Sequence, residues 1–393
     1  MIKLAGHKLC SGCGACAAVC SRSAITLCAD DEGFLQPLVD ESRCVLCGAC
    51  EKVCPVMNGR EDRRPINCYA AVSRDEALRE NSSSGGVFSE LANWILAKGG
   101  CVYGCVMDMD HLRAFHTKTE TINELGRMRK SKYVQSEIEP AVYQDVKREL
   151  VRGRCVMFTG TPCQISGIRA FLGRDWDNLY LVALICHGVP SRMFLRKFVE
   201  QKQRRVGSSF AYMDFRSKAN GWGNFSIECK NDHAETVYLE GQQTNSYMRL
   251  FNYNVAFRES CYLCQGRCGK APFDLLIGDF WGIDKICPDM LDGRGVSAVL
   301  AYTEKGVWLM SNTDLERQST SFSSIVSSNK NVQESESRPW LRCIIYKALK
   351  YFDFDFVCQM ISFSKFDYWK HLIYRLYCVF RPALVWLGLR RKV

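Results

Sequence analysis

No basic stretch followed by an apolar core opens this 393-residue sequence, so its start does not read as an export leader. No Gly-x-Gly-x-x-Gly follows a strand-like run, which leaves a Rossmann-type nucleotide site without support. No apolar run spans a bilayer uninterrupted: the best candidate, residues 371–389, is broken by Arg375, Arg381 and Pro382. Apart from one doubled cysteine motif there is no internal repeat. A basic folded face is also missing. Of the formal net charge of +10, residues 338–393 contribute 11 Lys and Arg against 3 Asp, so the rest is nearly neutral and no nucleic-acid partner is expected. With 47% hydrophobic and 24% charged residues, the chain is not globally disordered.

What the sequence does have is 23 cysteines, too sparse for a small disulfide scaffold. Without a leader, that many thiols point to a reducing cytoplasm, where they hold metal rather than form bridges. Two runs stand out: Cys10-x-x-Cys13-x-x-Cys16-x-x-x-Cys20 and Cys44-x-x-Cys47-x-x-Cys50-x-x-x-Cys54-Pro55. A 4Fe–4S cluster needs four thiolates; three close cysteines wrap one cluster while the fourth reaches the other. The ligand sets should therefore cross: Cys10, Cys13, Cys16 and Cys54 for one cluster, and Cys44, Cys47, Cys50 and Cys20 for the second. Gly12, Gly14 and Gly48 let backbone N–H groups approach the sulfurs. Ser21 stands where Pro55 stands in the second run and removes no ligand. Zinc ribbons also use paired C-x-x-C, but they do not need two evenly spaced quartets. By these motifs residues 1–60 resemble bacterial-type two-cluster ferredoxins.

Beyond a charged joint at residues 59–65 the texture becomes mixed α/β. Helices are expected at residues 87–98, 139–152, 162–171 and 194–205, and strands at 101–106, 155–158, 179–186, 210–216, 225–229, 235–239, 275–278 and 298–302. The second half reads as largely antiparallel. Residues 66–150 and 151–318 form two parts of one body, the Ser- and Asn-rich residues 319–337 read as a linker, and residues 338–393 as a helical tail. The fold class is thus α+β or mixed α/β: a small ferredoxin-like domain, a mixed-sheet body and a helical C-terminal tail.

Several body segments carry chemistry. Asn81-Ser-Ser-Ser-Gly-Gly-Val87 enters a helix and can present N–H groups to an anion, or merely cap the helix. Lys130-Ser-Lys-Tyr-Val-Gln-Ser136 can add a cation, or be a solvated loop. Cys163, Cys186, Cys261 and Cys264 recur at turns and either assemble a third cluster or are small core residues; Cys268 lies nearby as a spare. These strings appear in order with Phe215-Arg-Ser-Lys218, Gly221-Trp222 and Gly278-Asp-Phe-Trp-Gly282. Over roughly residues 1–310 the chain resembles the coenzyme F420 hydrogenase/dehydrogenase beta-subunit family, in its form with an N-terminal ferredoxin domain. The resemblance implies an iron–sulfur flavoprotein oxidoreductase passing electrons between clusters and FAD, and between FAD and a two-electron substrate: the deazaflavin coenzyme or another small molecule. It further implies that Ser83, Ser84, Gly85, Gly86 and Lys132 line FAD, and that Cys163, Cys186, Cys261 and Cys264 hold a third 4Fe–4S cluster. His187 is either a proton donor near the flavin or a satisfied polar residue.

An electron-relay subunit of a larger complex, without its own substrate, is the alternative; the expected partner is a small-molecule redox substrate or a redox partner protein, and the chain is expected as a homo-oligomer or a complex subunit. The tail, with 14 aromatics in residues 338–393, suits either the inner face of a membrane or packing on the body or a second subunit.

Overall fold

The computed structural model describes Ile2 and residues 4–59, 62–267 and 269–363. Its strands are β1 (Ile25–Ala29), β2 (Leu35–Val39), β3 (Asn67–Ser73), β4 (Cys101–Asp108), β5 (Arg113–Thr119), β6 (Ser136–Glu137) and β7 (Val156–Gly160). They continue with β8 (Leu179–Leu184), β9 (Tyr212–Ser217), β10 (Ser226–Lys230), β11 (Thr236–Gly241), β12 (Leu275–Asp279), β13 (Ser297–Ala301) and β14 (Leu315–Ser319). A nine-stranded sheet of order β14-β3-β13-β12-β8-β7-β4-β5-β6 organises the body. Its centre, β12-β8-β7-β4, is parallel, as expected of strands buried on both faces; β7 reads Val-Met-Phe-Thr-Gly and is buried throughout. The flanks β13, β3 and β14 run antiparallel to their neighbours, and β5 runs antiparallel to β4 and parallel to β6.

Strands β9–β11 form a separate antiparallel three-stranded sheet, while β12 and β13 join the main one. Both halves of the body, before and after residue 150, therefore feed a single sheet. Local signals define its helices well. Helix Pro162–Leu172 starts with a Thr161/Gln164 capping box and Pro at its first turn, and ends at Gly173 with φ 72°.

Residues 319–337 are not a free linker. Ser321 caps helix Phe322–Ser328, Ile325 and Val332 are buried in the main core, and Asn329 Nδ2 donates to the Asp279 carbonyl at 2.8 Å. Well-placed apolar anchors override a polar composition. The described part of the tail also packs inward: Ile345, Tyr346, Leu349, Phe354, Val357 and Ile361 are buried against Phe194, Phe198 and Tyr247. Residues 364–393, on which the membrane-surface expectation chiefly fell, lie outside the described residues. Among the described residues no helix is long and apolar enough to cross a membrane.

The ferredoxin segment is seated on the body. Its helix Ala15–Val19 packs on helices Pro140–Val151 and Pro162–Leu172; Tyr143 Oη donates to the Cys13 carbonyl at 2.6 Å and Gln144 Nε2 to the Ala18 carbonyl at 3.0 Å. The β1–β2 hairpin inserts Phe34, 2% exposed, into the aromatic core beside Phe194 and Tyr346. Gly33 suits this position twice over: φ is 83°, and a Cβ would lie 2.5 Å from Met193 Cβ.

Candidate functional site

Cys10, Cys13, Cys16 and Cys54 line one small cavity together with Gly12, Gly14 and Pro55. Cys54 comes from the second run and joins three cysteines of the first around this cavity. Gly12 donates its N–H to Cys10 Sγ at 3.4 Å. Burial pushes the Cys13 thiol far above its ordinary value and that of Cys16 up to about 12, while the N–H groups of Ala15 and Ala17 pull back. Buried thiols of this kind lose their protons when metal binds, because the ligand is the thiolate. In the second set Cys50 is buried beside Ala17 and Ile25 with Cys20 packed against it. Ala24 donates its N–H to Cys20 Sγ at 3.3 Å, and Cys47 is exposed. Among the described residues no three His, Cys, Asp or Glu side chains close on a single metal ion; the first set surrounds a cavity instead. Thiols, close glycines and N–H···S contacts fit an iron–sulfur cluster.

A larger cavity of about 330 Å³ opens at the carboxyl ends of β7, β8 and β12, where open α/β sheets place their ligands. Cys163 follows β7, Cys186 follows β8, and Cys261 and Cys264 lie in and just after the 3₁₀ turn Glu259–Leu263; all four line this cavity. Their charges act on one another: Cys186 feels Cys261, Cys163 and Cys264, and Cys163 feels Cys264. Burial raises each of Cys163, Cys186 and Cys261, the last to about 12. The set thus gathers in one place and fits a third cluster. It also backs onto the first ferredoxin set. Cys13 feels Cys163, and a Cβ on Gly167 would lie 3.1 Å from Cys13 Sγ. Cys268 lies outside the described residues.

The opposite wall is the entry to helix Val87–Ala97. Gly86, φ 88°, stands at its N-cap without a side-chain cap, so the first N–H groups are free to meet an anion in the cavity that Gly86, Val87 and Phe88 line. Ser83 and Ser84 line it too, although Ser83 Oγ accepts from the Ser131 N–H at 2.9 Å and Ser84 Oγ donates to the Val296 carbonyl at 2.8 Å. Gly85 faces the sheet: a Cβ would lie 2.3 Å from the Ala71 carbonyl oxygen, which explains the glycine without a ligand. Lys132 reaches the cavity, but its ammonium donates to the carbonyls of Arg127, Met128 and Arg129. Desolvation brings it down to about 8. His187 lines the cavity with both ring nitrogens engaged, Nε2 with Asn254 Oδ1 at 2.7 Å and Nδ1 with Asn331 Nδ2 at 2.6 Å. That is the arrangement of a satisfied, neutral imidazole, and burial lowers its proton affinity further.

Some residues of the site were given no role by the sequence. Asp279 accepts from Arg216 Nη1 at 2.7 Å and from Trp222 Nε1 at 2.9 Å, and Trp222 stacks on Trp281 at 4.9 Å. The Phe-Arg-Ser-Lys, Gly-Trp and Gly-Asp-Phe-Trp-Gly strings thus meet as one buried ion pair in the cavity wall. His116 is 3% exposed, stacks on Phe158 and donates its Nε2–H to the Thr159 carbonyl, 2.8 Å away. Arg258 bridges the ferredoxin segment and the body; its sequence neighbourhood, Phe257-Arg-Glu-Ser-Cys261, held a usable clue in a cation beside a cysteine pair.

Two cysteine quartets on a small domain that docks onto a cavity-bearing sheet define an iron–sulfur electron-transfer protein. Residues 9–58 match the 4Fe-4S dicluster domain, and residues 153–323 match the family described as the C terminus of the coenzyme F420 hydrogenase/dehydrogenase beta subunit. Residues 153–323 are thus similar to that C-terminal domain, and they follow the residues that match the dicluster domain. It is 24% identical over 248 residues to the F subunit of the F(420)H(2) dehydrogenase of Methanosarcina mazei, covering 60% of this chain and 68% of that protein. A chain of the F420-reducing NiFe hydrogenase complex of Methanosarcina barkeri superposes with a TM-score of 0.44 at 16% identity, covering 76% of this chain and 92% of the other.

Proposed function

We propose that this protein is an iron–sulfur flavoprotein oxidoreductase that moves electrons between its ferredoxin clusters and a two-electron substrate in the large cavity. The observation that carries this reading is the convergence of the Cys163, Cys186, Cys261 and Cys264 thiols and an uncapped helix N-terminus on one cavity. Those four cysteines would hold a third cluster. The free N–H groups at Val87, with Ser84 and Gly86 beside them, would bind the FAD pyrophosphate. FAD, when bound, exchanges a hydride with a substrate and single electrons with a cluster. The remaining work falls to the chain. Phe251 and Ile185 exclude water from the cavity, the Arg216–Asp279 pair stiffens its wall, and helix Pro162–Leu172 keeps Cys163 next to Cys13. The exposed Cys47 end of the ferredoxin segment is the side from which electrons enter or leave. The substrate class is a small two-electron carrier such as the deazaflavin coenzyme.

A relay subunit without flavin is favoured by one observation: Lys130 is paired with Asp214 at 2.6 Å and Lys132 is bound to three carbonyls, so neither cation is free for a phosphate. An anaerobic ultraviolet–visible spectrum before and after stepwise dithionite addition separates the two. A flavin band over the iron–sulfur absorbance, both bleaching, is the expected result. An iron–sulfur band alone, with no uptake of added FAD, selects the relay.

A further inference from the structure

Six cations are buried among the described residues: Arg79, Lys202, Arg216, Arg258, Arg267 and Arg342. Four of them are paired with carboxylates, on Asp292, Asp355, Asp279 and Glu32 respectively for Arg79, Lys202, Arg216 and Arg342. Arg258 and Arg267 break the pattern. Arg258, 1% exposed, donates through Nε to the Cys10 carbonyl at 2.6 Å, through Nη1 to Gln135 Oε1 at 3.1 Å and through Nη2 to the Leu35 carbonyl at 2.8 Å. Arg267 donates to the carbonyls of Asn331, Glu334 and His187 and to Asn331 Oδ1, and its Nε is buried without a partner. Every one of these acceptors is neutral. A buried guanidinium without a counter-charge is costly, because desolvation is not offset by an opposite charge.

Both guanidiniums line the large cavity beside the four body cysteines. The charge of Arg258 acts on Cys163 and Cys261, and that of Arg267 on Cys186, each favouring the thiolate. Four thiolates around a cubane core form an anionic centre, more so after reduction. The missing counter-charge and the missing cation balance are therefore the same site.

We propose that Arg258 and Arg267 are the built-in counter-ions of a cluster held by Cys163, Cys186, Cys261 and Cys264, and that they raise its reduction potential. This rests on the reading that those cysteines hold a cluster. Reduction adds one electron, supplied by dithionite, and breaks no bond; the added negative charge is what the two guanidiniums stabilise. Because Arg258 also bonds the Cys10 carbonyl, the same side chain positions the inner ferredoxin set against the body.

The test is a potentiometric titration of the full-length, cluster-loaded protein followed by electron paramagnetic resonance. The signal missing in Cys261→Ser identifies the body centre, and the centre containing the exposed Cys47 serves as internal reference. Arg258→Gln and Arg267→Gln are each expected to shift the reduction equilibrium of the body centre about tenfold toward the oxidised form, about 59 mV for a one-electron couple. The reference centre stays in place, and Arg258→Lys and Arg267→Lys, which keep the charge, stay near the wild type. Loss of the body centre in the Gln but not the Lys variants also supports the counter-ion role. An intact centre with an unmoved potential in both Gln variants overturns it, as do Lys variants that fall as far as Gln. A wild-type protein with about eight irons rather than about twelve, and no third signal, instead removes the cluster site itself.

Discussion

In the ferredoxin segment, three of the four cysteines around the first cavity lie between positions 10 and 16; in the body, four of the five around the large cavity run from Cys163 to Cys264, with Cys105 the fifth. The first set is shaped by a tight loop whose glycines take positive φ, Gly12 at 67° and Gly14 at 88°. The second is shaped by the sheet: parallel β7 and β8 end side by side, and each hands a cysteine to the same crevice. A local set is readable from spacing because a few residues of backbone decide its geometry. A dispersed set needs the strand order.

The comparison can be broken most severely at a shared ligand. Replacing Cys54 by Ser should abolish the cluster of Cys10, Cys13 and Cys16, not that of Cys44, Cys47 and Cys50, because Cys54 lines the first cavity. Iron content with electron paramagnetic resonance reads this; loss of the other cluster overturns the crossed pairing. Cys261→Ser should leave both ferredoxin clusters reducible by dithionite yet stop electron passage to the large cavity in stopped-flow absorbance. Undiminished passage would remove the body set from the route.

The seam between the two regions is the next place to press. Phe34→Ala empties a site in the aromatic core and should cost roughly 3–5 kcal/mol. Denaturant unfolding monitored separately by cluster absorbance and by tryptophan fluorescence should show the two transitions pull apart, whereas coincident, unshifted curves would mean the hairpin is not what seats the ferredoxin segment. A smaller effect comes from His116, which burial lowers from 6.5 to about 4. The unfolded chain binds the extra proton first, so its contribution to stability is intact above pH 6.5 and is lost as pH falls toward 4. That window amounts to roughly 3 kcal/mol. His116→Phe, which can keep the stacking on Phe158, should flatten stability across it, and an unchanged slope would assign the pH dependence elsewhere.

The resemblance assigned Ser83, Ser84, Gly85, Gly86 and Lys132 to FAD and the body cysteines to a third cluster; all of these except Gly85 line one cavity. What it could not see was how the polar atoms are already used. Gly85 packs on the Ala71 carbonyl, Lys132 holds three carbonyls and His187 is bonded at both nitrogens, the last to partners far along the chain. Residues 319–337 misled for a related reason. Their composition is polar, but Ile325 and Val332 have a core to enter only once β3 and β12 have formed.

By itself the sequence determined the two ferredoxin quartets, the mixed α/β texture and the approximate bounds of four body helices, because cysteine spacing, caps and apolar periodicity act over a few residues. Tertiary structure alone decided that one sheet draws on both halves of the body, that the polar stretch after β14 packs into the core, and that Arg258 and Arg267 lie without carboxylates beside the third cysteine set. Those outcomes depend on which distant segments are neighbours in space, and so on whether a charge or a polar atom still lacks a partner once the chain has closed on itself.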